Sequence, residues 1–307
     1  MNIVFMGTPD FAVSALEALL KAGHNIKLVV TQPDKPKGRS GALAFPPVKE
    51  CALKHGLPVF QPVRIKTAEN VEYLKQYEAD VYVVAAFGQI LSQEILDMPR
   101  LGCINIHASL LPKYRGSSPI QRAILDGEEK TGVTIMQMDI GVDTGDMLYK
   151  KEYVIKPSDT FESLHDELAV LGGQAIVEAL ALLKEGKLIP EKQRDEDSCK
   201  APMISKEMGL LNFCDSAAKL DRQIRGLNPW PSAFTKYQGK TLKIWRAVPV
   251  EGTGEPGEIL LVEKDSFVVA CGENALCIYE LQLEGKKRMN SHDFLLGQKV
   301  RPGERLG

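Results

Sequence analysis

Much that would narrow the function of this chain is missing from its 307 residues. No run of about 18 apolar residues occurs, so a membrane-spanning helix is excluded. The six cysteines (Cys51, Cys103, Cys199, Cys214, Cys271 and Cys277) are scattered through a long chain. A disulfide-stapled scaffold is therefore excluded, and reduced, mostly buried thiols are expected. No cysteine pair has zinc-ribbon spacing, and His24, His55, His107, His165 and His292 show no H-x-x-x-H spacing, so no metal is expected. The first strand-to-helix turn lacks the Gly-x-Gly-x-x-Gly fingerprint, and no Walker loop occurs, which disfavours NAD. Charge of one sign is lacking too: 38 Lys+Arg stand against 40 Asp+Glu. A polyanionic partner would have to meet a local patch rather than a global field. The opening Met1-Asn2-Ile3-Val4-Phe5 has no basic-then-apolar leader layout, so a cytoplasmic location without membrane association is expected.

What is present falls into two patterns. Short apolar runs at residues 3–6, 26–31, 59–60, 80–86 and 103–106 alternate with helical patterns at 11–22, 47–55, 67–76 and 92–98. Continuously apolar strands between helices predict an α/β fold, a parallel sheet covered on both faces and Rossmann-like. Residues 131–139 and 146–154 predict an antiparallel excursion, and 160–185 one long helix softly broken at Gly172-Gly173. The polar, Pro-flanked stretch 187–202 reads as a linker. Beyond it, a short helix at 216–225 and five short strand-like runs between 233 and 283 predict a small β-barrel or sandwich.

Gly7-Thr8-Pro9-Asp10 sits at a strand-to-helix turn, either a structural turn or a ligand-proximal loop. The richest segment is Gly102 to Gly116. Its strand should end near His107, at the sheet's carboxyl edge, where open α/β folds place ligands. Period two puts Asn105 and His107 on one face, an oxyanion donor beside a proton carrier. The bland reading is a core histidine bonded to a backbone carbonyl. Asp143, in Asp143-Thr144-Gly145, could orient His107 or serve only as a turn carboxylate; an aspartic protease is rejected, since that needs two such triplets on an all-β body. The segment Gln32 to Ala42 is long for a βα connection, basic and rich in Gly and Pro. Its Lys35, Lys37 and Arg39 could meet phosphates or merely be solvated. From Gly209 onward 14 Lys+Arg face 12 Asp+Glu, a weak balance. Clusters at Lys219/Arg222/Arg225, at Lys236 to Arg246 and at Lys286-Lys287-Arg288, with Trp230 and Trp245 nearby, fit either nucleic acid or a solvated face.

Together, Phe5-Met6-Gly7-Thr8-Pro9-Asp10-Phe11, the 32–41 loop, Asn105-Ile106-His107-Ala108-Ser109-Leu110-Leu111-Pro112, Tyr114-Arg115-Gly116, Asp143-Thr144-Gly145 and Asn228-Pro229-Trp230-Pro231 resemble the 10-formyltetrahydrofolate-dependent formyltransferases. Nearly the whole chain takes part, and the opening motif, the long loop and the C-terminal half resemble the members that act on methionyl-tRNA. The resemblance implies a Rossmann-like formyltransferase domain at 1–188, a linker at 189–206 and an OB-like tRNA-binding β-barrel at 207–307. It implies formyl transfer from 10-formyltetrahydrofolate, as co-substrate and without metal, to the methionyl amine of initiator tRNA. The catalytic residues would be Asn105, His107 and Asp143. Folate would lie against Phe87, Gly88, Gln89, Ile90, Leu91, Ser109, Leu110, Leu111, Pro112, Gly141 and Val142. The tRNA would meet Lys35, Lys37, Arg39 and Arg115, and a monomer is expected. Two competitors stay open: a formyltransferase for glycinamide ribonucleotide or an amino sugar, and a non-catalytic nucleic-acid-binding module.

Overall fold

The apolar runs of the first half become strands buried on both faces. The structure, a computed structural model, describes residues 1–37 and 42–307; Arg39 lies outside the described residues. Two compact units are formed, one from Met1–Pro119, Lys130–Val154 and His165–Ala201, the other from Ile120–Glu129, Ile155–Leu164 and Pro202–Gly307.

Up to Ala201 the chain runs β1 (Asn2–Gly7), α1 (Asp10–Lys21), β2 (Asn25–Val30), β3 (Lys35–Lys37), β4 (Ala42–Ala44), α2 (Pro47–Lys54), β5 (Val59–Phe60), α3 (Ala68–Lys75), β6 (Val81–Ala85), α4 (Gln93–Leu96), β7 (Cys103–His107), β8 (Arg115–Gly116), α5 (Pro119–Asp126), β9 (Lys130–Gln137), β10 (Met147–Val154), α6 (Phe161–Lys184) and β11 (Lys200–Ala201). The main sheet has the order β10-β9-β7-β6-β1-β2-β5. Its β7-β6-β1-β2-β5 portion is parallel, and β9 and β10 join antiparallel, the expected Rossmann-like arrangement with its excursion. All of β6 and all but the first residue of β1 are buried, which is why these runs do not alternate. Val4, Met6, Leu28, Tyr82, Val84 and Ile95 meet in one core cluster.

One expectation changes here. The α6 helix is unbroken: a Cβ on Gly172 would lie 3.0 Å from Ile106 Cγ2, and one on Gly173 2.9 Å from the Ser14 carbonyl oxygen. These glycines admit close approach of α6 to β7 and α1 rather than interrupting the helix. The 187–202 stretch, read as a linker, carries two backbone pairings. Met147 and Glu191 form an isolated bridge, and β11 pairs in parallel with β8.

The second unit adds α7 (Ala217–Gly226), β12 (Ala233–Tyr237), β13 (Lys240–Val250), β14 (Ile259–Val262), β15 (Phe267–Ala270), β16 (Ala275–Leu283), β17 (Met289–Asn290) and α8 (Ser291–Gly297). Ser216 caps α7 by accepting from Lys219 N, and the helix buries Ala217, Leu220 and Ile224. The sheet order is β12-β13-β16-β15-β14, with β17 on β16. Among the described residues no pairing joins β12 to β14, and no closed barrel is found. The C-terminal tail takes those edges instead: Ile259 N donates to Glu304 O at 2.8 Å, Leu306 N to Gly257 O at 2.9 Å and Gly307 N to Lys236 O at 2.9 Å.

Candidate active site

The β7 strand places Asn105, half-buried, and His107, 5% exposed, on one face at its carboxyl end. His107 Nε2 is 2.9 Å from the Tyr114 carbonyl oxygen. A carbonyl only accepts, so the ring hydrogen sits on Nε2. His107 Nδ1 lies 3.6 Å from Asp143 Oδ1, an ion-pair distance rather than a hydrogen bond. Asp143 arrives by an unexpected route. The β9–β10 connection leaves the sheet beside Cys103, where Met138 N donates to its carbonyl at 2.8 Å, then folds back toward the far end of β7. Asp143 has φ +54°, a left-handed conformation that Asp tolerates. Its Oδ2 accepts from Gly116 N at 2.9 Å.

A second layer fixes this loop. Asp139 Oδ1 accepts from Gly141 N at 3.0 Å and Thr144 Oγ1 at 2.8 Å. Gln193 Nε2 donates to the carbonyls of Asp143 at 2.9 Å and Gly145 at 2.7 Å, while its Oε1 accepts from Arg115 Nε at 2.9 Å. Tyr114 N donates to Cys199 Sγ at 3.2 Å. A Cβ on Gly116 would stand 2.8 Å from Ala201 O, so only glycine lets β8 approach β11 there. Sequence reasoning missed Gln193, whose only signal was membership in a polar stretch. On the other side, Thr134 Oγ1 donates to Ser109 O at 2.7 Å and accepts from Leu111 N at 3.0 Å. Ser109 Oγ donates to Lys113 O at 2.6 Å.

The remaining expected residues divide sharply. Phe87 and Leu91 are core side chains, so they offer a ligand only backbone. Phe87 O is already taken by Thr8 Oγ1 at 3.0 Å and Gln32 Nε2 at 3.2 Å. The Gln89 amide is spent on Ile65 N and Pro62 O at 2.7 and 3.0 Å. Ser109 and Leu111 are buried, whereas Leu110 and Pro112 are half-buried and Gly88 and Gly141 exposed. Ile90 at 70% exposure and Val142 at 63% present apolar side chains to solvent on the two loops.

The cations divide likewise. Lys35 is exposed at the start of β3, and Lys37 lends its backbone to the β3–β4 ladder. Asp34 at the root of that ladder is held below the ordinary carboxylate range by a hydrogen bond from Gln61 and by Lys49. Arg115 is not an open cation: its guanidinium bonds Gln193 and Asp195, and its side chain is 13% exposed. In the second unit Lys219 pairs with Asp215 and Arg225 with Asp221, each at 2.8 Å. The helical basic row is thereby largely neutralised. Arg288 donates to Glu280 through Nε and Nη2 and lies 4.7 Å from the Trp245 ring centre, and Lys243 Nζ lies 5.5 Å from it.

Residues 1–180 match the formyl transferase family, and 203–299 the formyl transferase C-terminal domain. A methionyl-tRNA formyltransferase of Agathobacter rectalis is 52% identical over 305 residues, covering 99% of this chain and 98% of its own. The N-formyltransferase of Helicobacter canadensis, solved with folinic acid and dTDP-3-aminofucose, superimposes with a TM-score of 0.67 at 18% identity, over 94% of this chain and 99% of that one. HypX of Aquifex aeolicus, solved with tetrahydrofolic acid, gives a TM-score of 0.66 at 18% identity over 95% of this chain, which spans 46% of HypX. These two likenesses concern the fold alone. With both family regions present in order and half of all positions shared with a full-length relative, the chain belongs to the formyl transferase family, among the methionyl-tRNA formyltransferases.

Proposed function

We propose that this chain transfers a formyl group from 10-formyltetrahydrofolate to the methionyl amine of initiator tRNA, for translation initiation. One observation carries the reading: Asn105, His107 and Asp143 converge in a chain about half identical, over its whole length, to proteins named for that reaction. The folate co-substrate supplies the activated formyl carbon. Asn105 donates to the oxygen of that carbon as it becomes an oxyanion. His107, through the nitrogen that faces Asp143, takes the proton lost by the attacking amine and returns it toward the leaving nitrogen.

The ligand would lie along Gly88–Leu91, Ser109–Pro112 and Gly141–Val142, covering Ile90 and Val142. Residues 1–188 would carry the chemistry, 207–307 the tRNA body, and 189–206 the connection. The strand bulges at Ile244/Arg246 and Ile259/Leu261 bend the second sheet, which supports reading it as OB-like. Lys35, Lys37 and Arg39 would meet the acceptor stem, whereas Arg115 would act by holding Gln193. We take the enzyme as a cytoplasmic monomer whose chemistry calls for no metal.

The test offers 10-formyltetrahydrofolate with methionylated initiator tRNA, methionylated elongator tRNA and glycinamide ribonucleotide in parallel. Labelling of the initiator is expected. Labelling of the small amine alone keeps the chemistry and overturns the acceptor, and no labelling overturns both.

A further inference from the structure

The proposed transfer leaves one cluster of metal-ligating side chains unused. Cys51, on α2, and His55, which caps it, are four positions apart and share a helical face. Glu17 comes from the outer face of α1, which packs against α2. One ligand atom from each, Cys51 Sγ, a His55 ring nitrogen and a Glu17 carboxylate oxygen, all lie within 4.8 Å of one another. Cys51 is 7% exposed while Glu17 and His55 are exposed, so the thiol floors a position that solvent reaches from outside. The groove beside it is lined by Asp10, Glu17, Glu50 and Asp166, with Lys54 as the opposing ammonium. His165, also in its wall, is engaged by Asp10 at 3.5 Å and Asp166 at 3.0 Å. The local field therefore favours a cation.

We propose that Glu17, Cys51 and His55 bind a divalent cation of the zinc class, with water completing its coordination. A carboxylate, an imidazole and a thiolate are the zinc donor set, at about 2.0–2.3 Å each. Donors around one ion then stand roughly 3.3–3.8 Å apart in a tetrahedron, a contraction that rotamer adjustment of the exposed Glu17 and His55 supplies. A thiolate donor selects against magnesium and calcium. The Cys51 thiol proton leaves to solvent as the metal–sulfur bond forms. Such an ion would pin α2 to α1. Since α2 follows the β3–β4 ladder directly, it would also anchor the root of the proposed tRNA loop; that consequence rests on the proposed function, and the site itself does not.

The test uses the full chain, stripped with chelator, dialysed and titrated with Co²⁺ and then Zn²⁺, with no formyl-transfer readout. About one equivalent of Co²⁺ should bind, with a thiolate-to-cobalt band in the near ultraviolet that Zn²⁺ abolishes. Cys51→Ala should remove the band. His55→Ala and Glu17→Ala, surface changes checked for fold by circular dichroism, should each weaken binding by about tenfold or more, since even outer-shell losses cost 10–100-fold. Absence of the band, its persistence in Cys51→Ala, or an affinity indifferent to Glu17 and His55 would overturn the site.

Discussion

His107 Nδ1 and Asp143 Oδ1 face each other across 3.6 Å, while the other ring nitrogen is 2.9 Å from the Tyr114 carbonyl. The carboxylate is pinned separately, its second oxygen bound to Gly116 N. With the neutral ring's hydrogen on Nε2, Nδ1 has only a lone pair to turn toward Asp143. The pair becomes mutually satisfying when Nδ1 is protonated. That suits a ring asked to receive a proton during amine attack.

Removing the donor or the proton carrier should cost rate rather than fold. Asn105→Ala and His107→Ala are each expected to lower the single-turnover rate of formyl transfer by about 10²–10³-fold, the scale of an oxyanion donor or a general acid–base group. An Asn105→Ala enzyme at full rate would remove the oxyanion role.

Gln193 ties the carbonyls of Asp143 and Gly145 to Arg115. Gln193→Ala should cost about 1.5–4.5 kcal/mol of stability, at about 0.5–1.5 for each of these three bonds. It should also cost about tenfold or more in kcat/KM through misplacement of Asp143. Urea midpoints beside steady-state kinetics check both. A stability loss with unchanged kinetics would make Gln193 a structural residue only.

Gly173→Ala sets two effects in opposition. Helix propensity favours Ala by about 1 kcal/mol, but its Cβ would meet the Ser14 carbonyl oxygen at 2.9 Å. Overpacking against backbone costs about 1–3 kcal/mol, so a lower urea midpoint with unchanged slope is expected. A raised midpoint would contradict the packing role given to this glycine.

Alkaline pH should loosen the first unit. Burial pushes the Cys103 thiol from 9.0 up to about 12 and the Tyr82 phenol from 10.0 up to about 12. Above pH 9 the unfolded chain releases protons that the folded chain keeps, so stability falls as pH rises through the window from 9 to 12. Urea midpoints against pH should show that fall, and Cys103→Ala should flatten its first part, before the tyrosine contributes. An equal slope in the variant would remove Cys103 as its source.

Salt should separate open cations from paired ones. Lys35→Ala is expected to reduce the log–log salt slope of tRNA binding by about 1, as the loss of one phosphate contact does. Arg225→Ala, already paired with Asp221, should leave the slope unchanged. Filter binding across a salt series distinguishes the two, and the reverse ranking would move the tRNA to the α7 face.

Local periodicity carried the Rossmann-like sheet and the pairing of Asn105 with His107 on one face, because period two and covered strands are properties of neighbouring residues. Asp143 reached His107 by a fold-back that no spacing encodes. Gln193 acts on the Asp143 carbonyl 50 positions away from a stretch that reads only as polar. The glycine pair in α6 looked like a break because a sequence does not show what stands opposite a missing side chain. Strand counts do not say which edges meet, so they leave barrel and sandwich both open; the C-terminal tail bonds Lys236 of β12 and Ile259 of β14. The Cys51–His55 pair escaped because its third partner lies on another helix.

The most direct test of the site is a double-mutant cycle across His107 and Asp143, read as the single-turnover rate of formyl transfer to methionylated initiator tRNA. Asp143→Asn is expected to cost about 10²-fold when His107 is present and almost nothing once His107 is Ala, because the carboxylate works through the ring. Losses that simply multiply would contradict that coupling and assign Asp143 a role independent of His107.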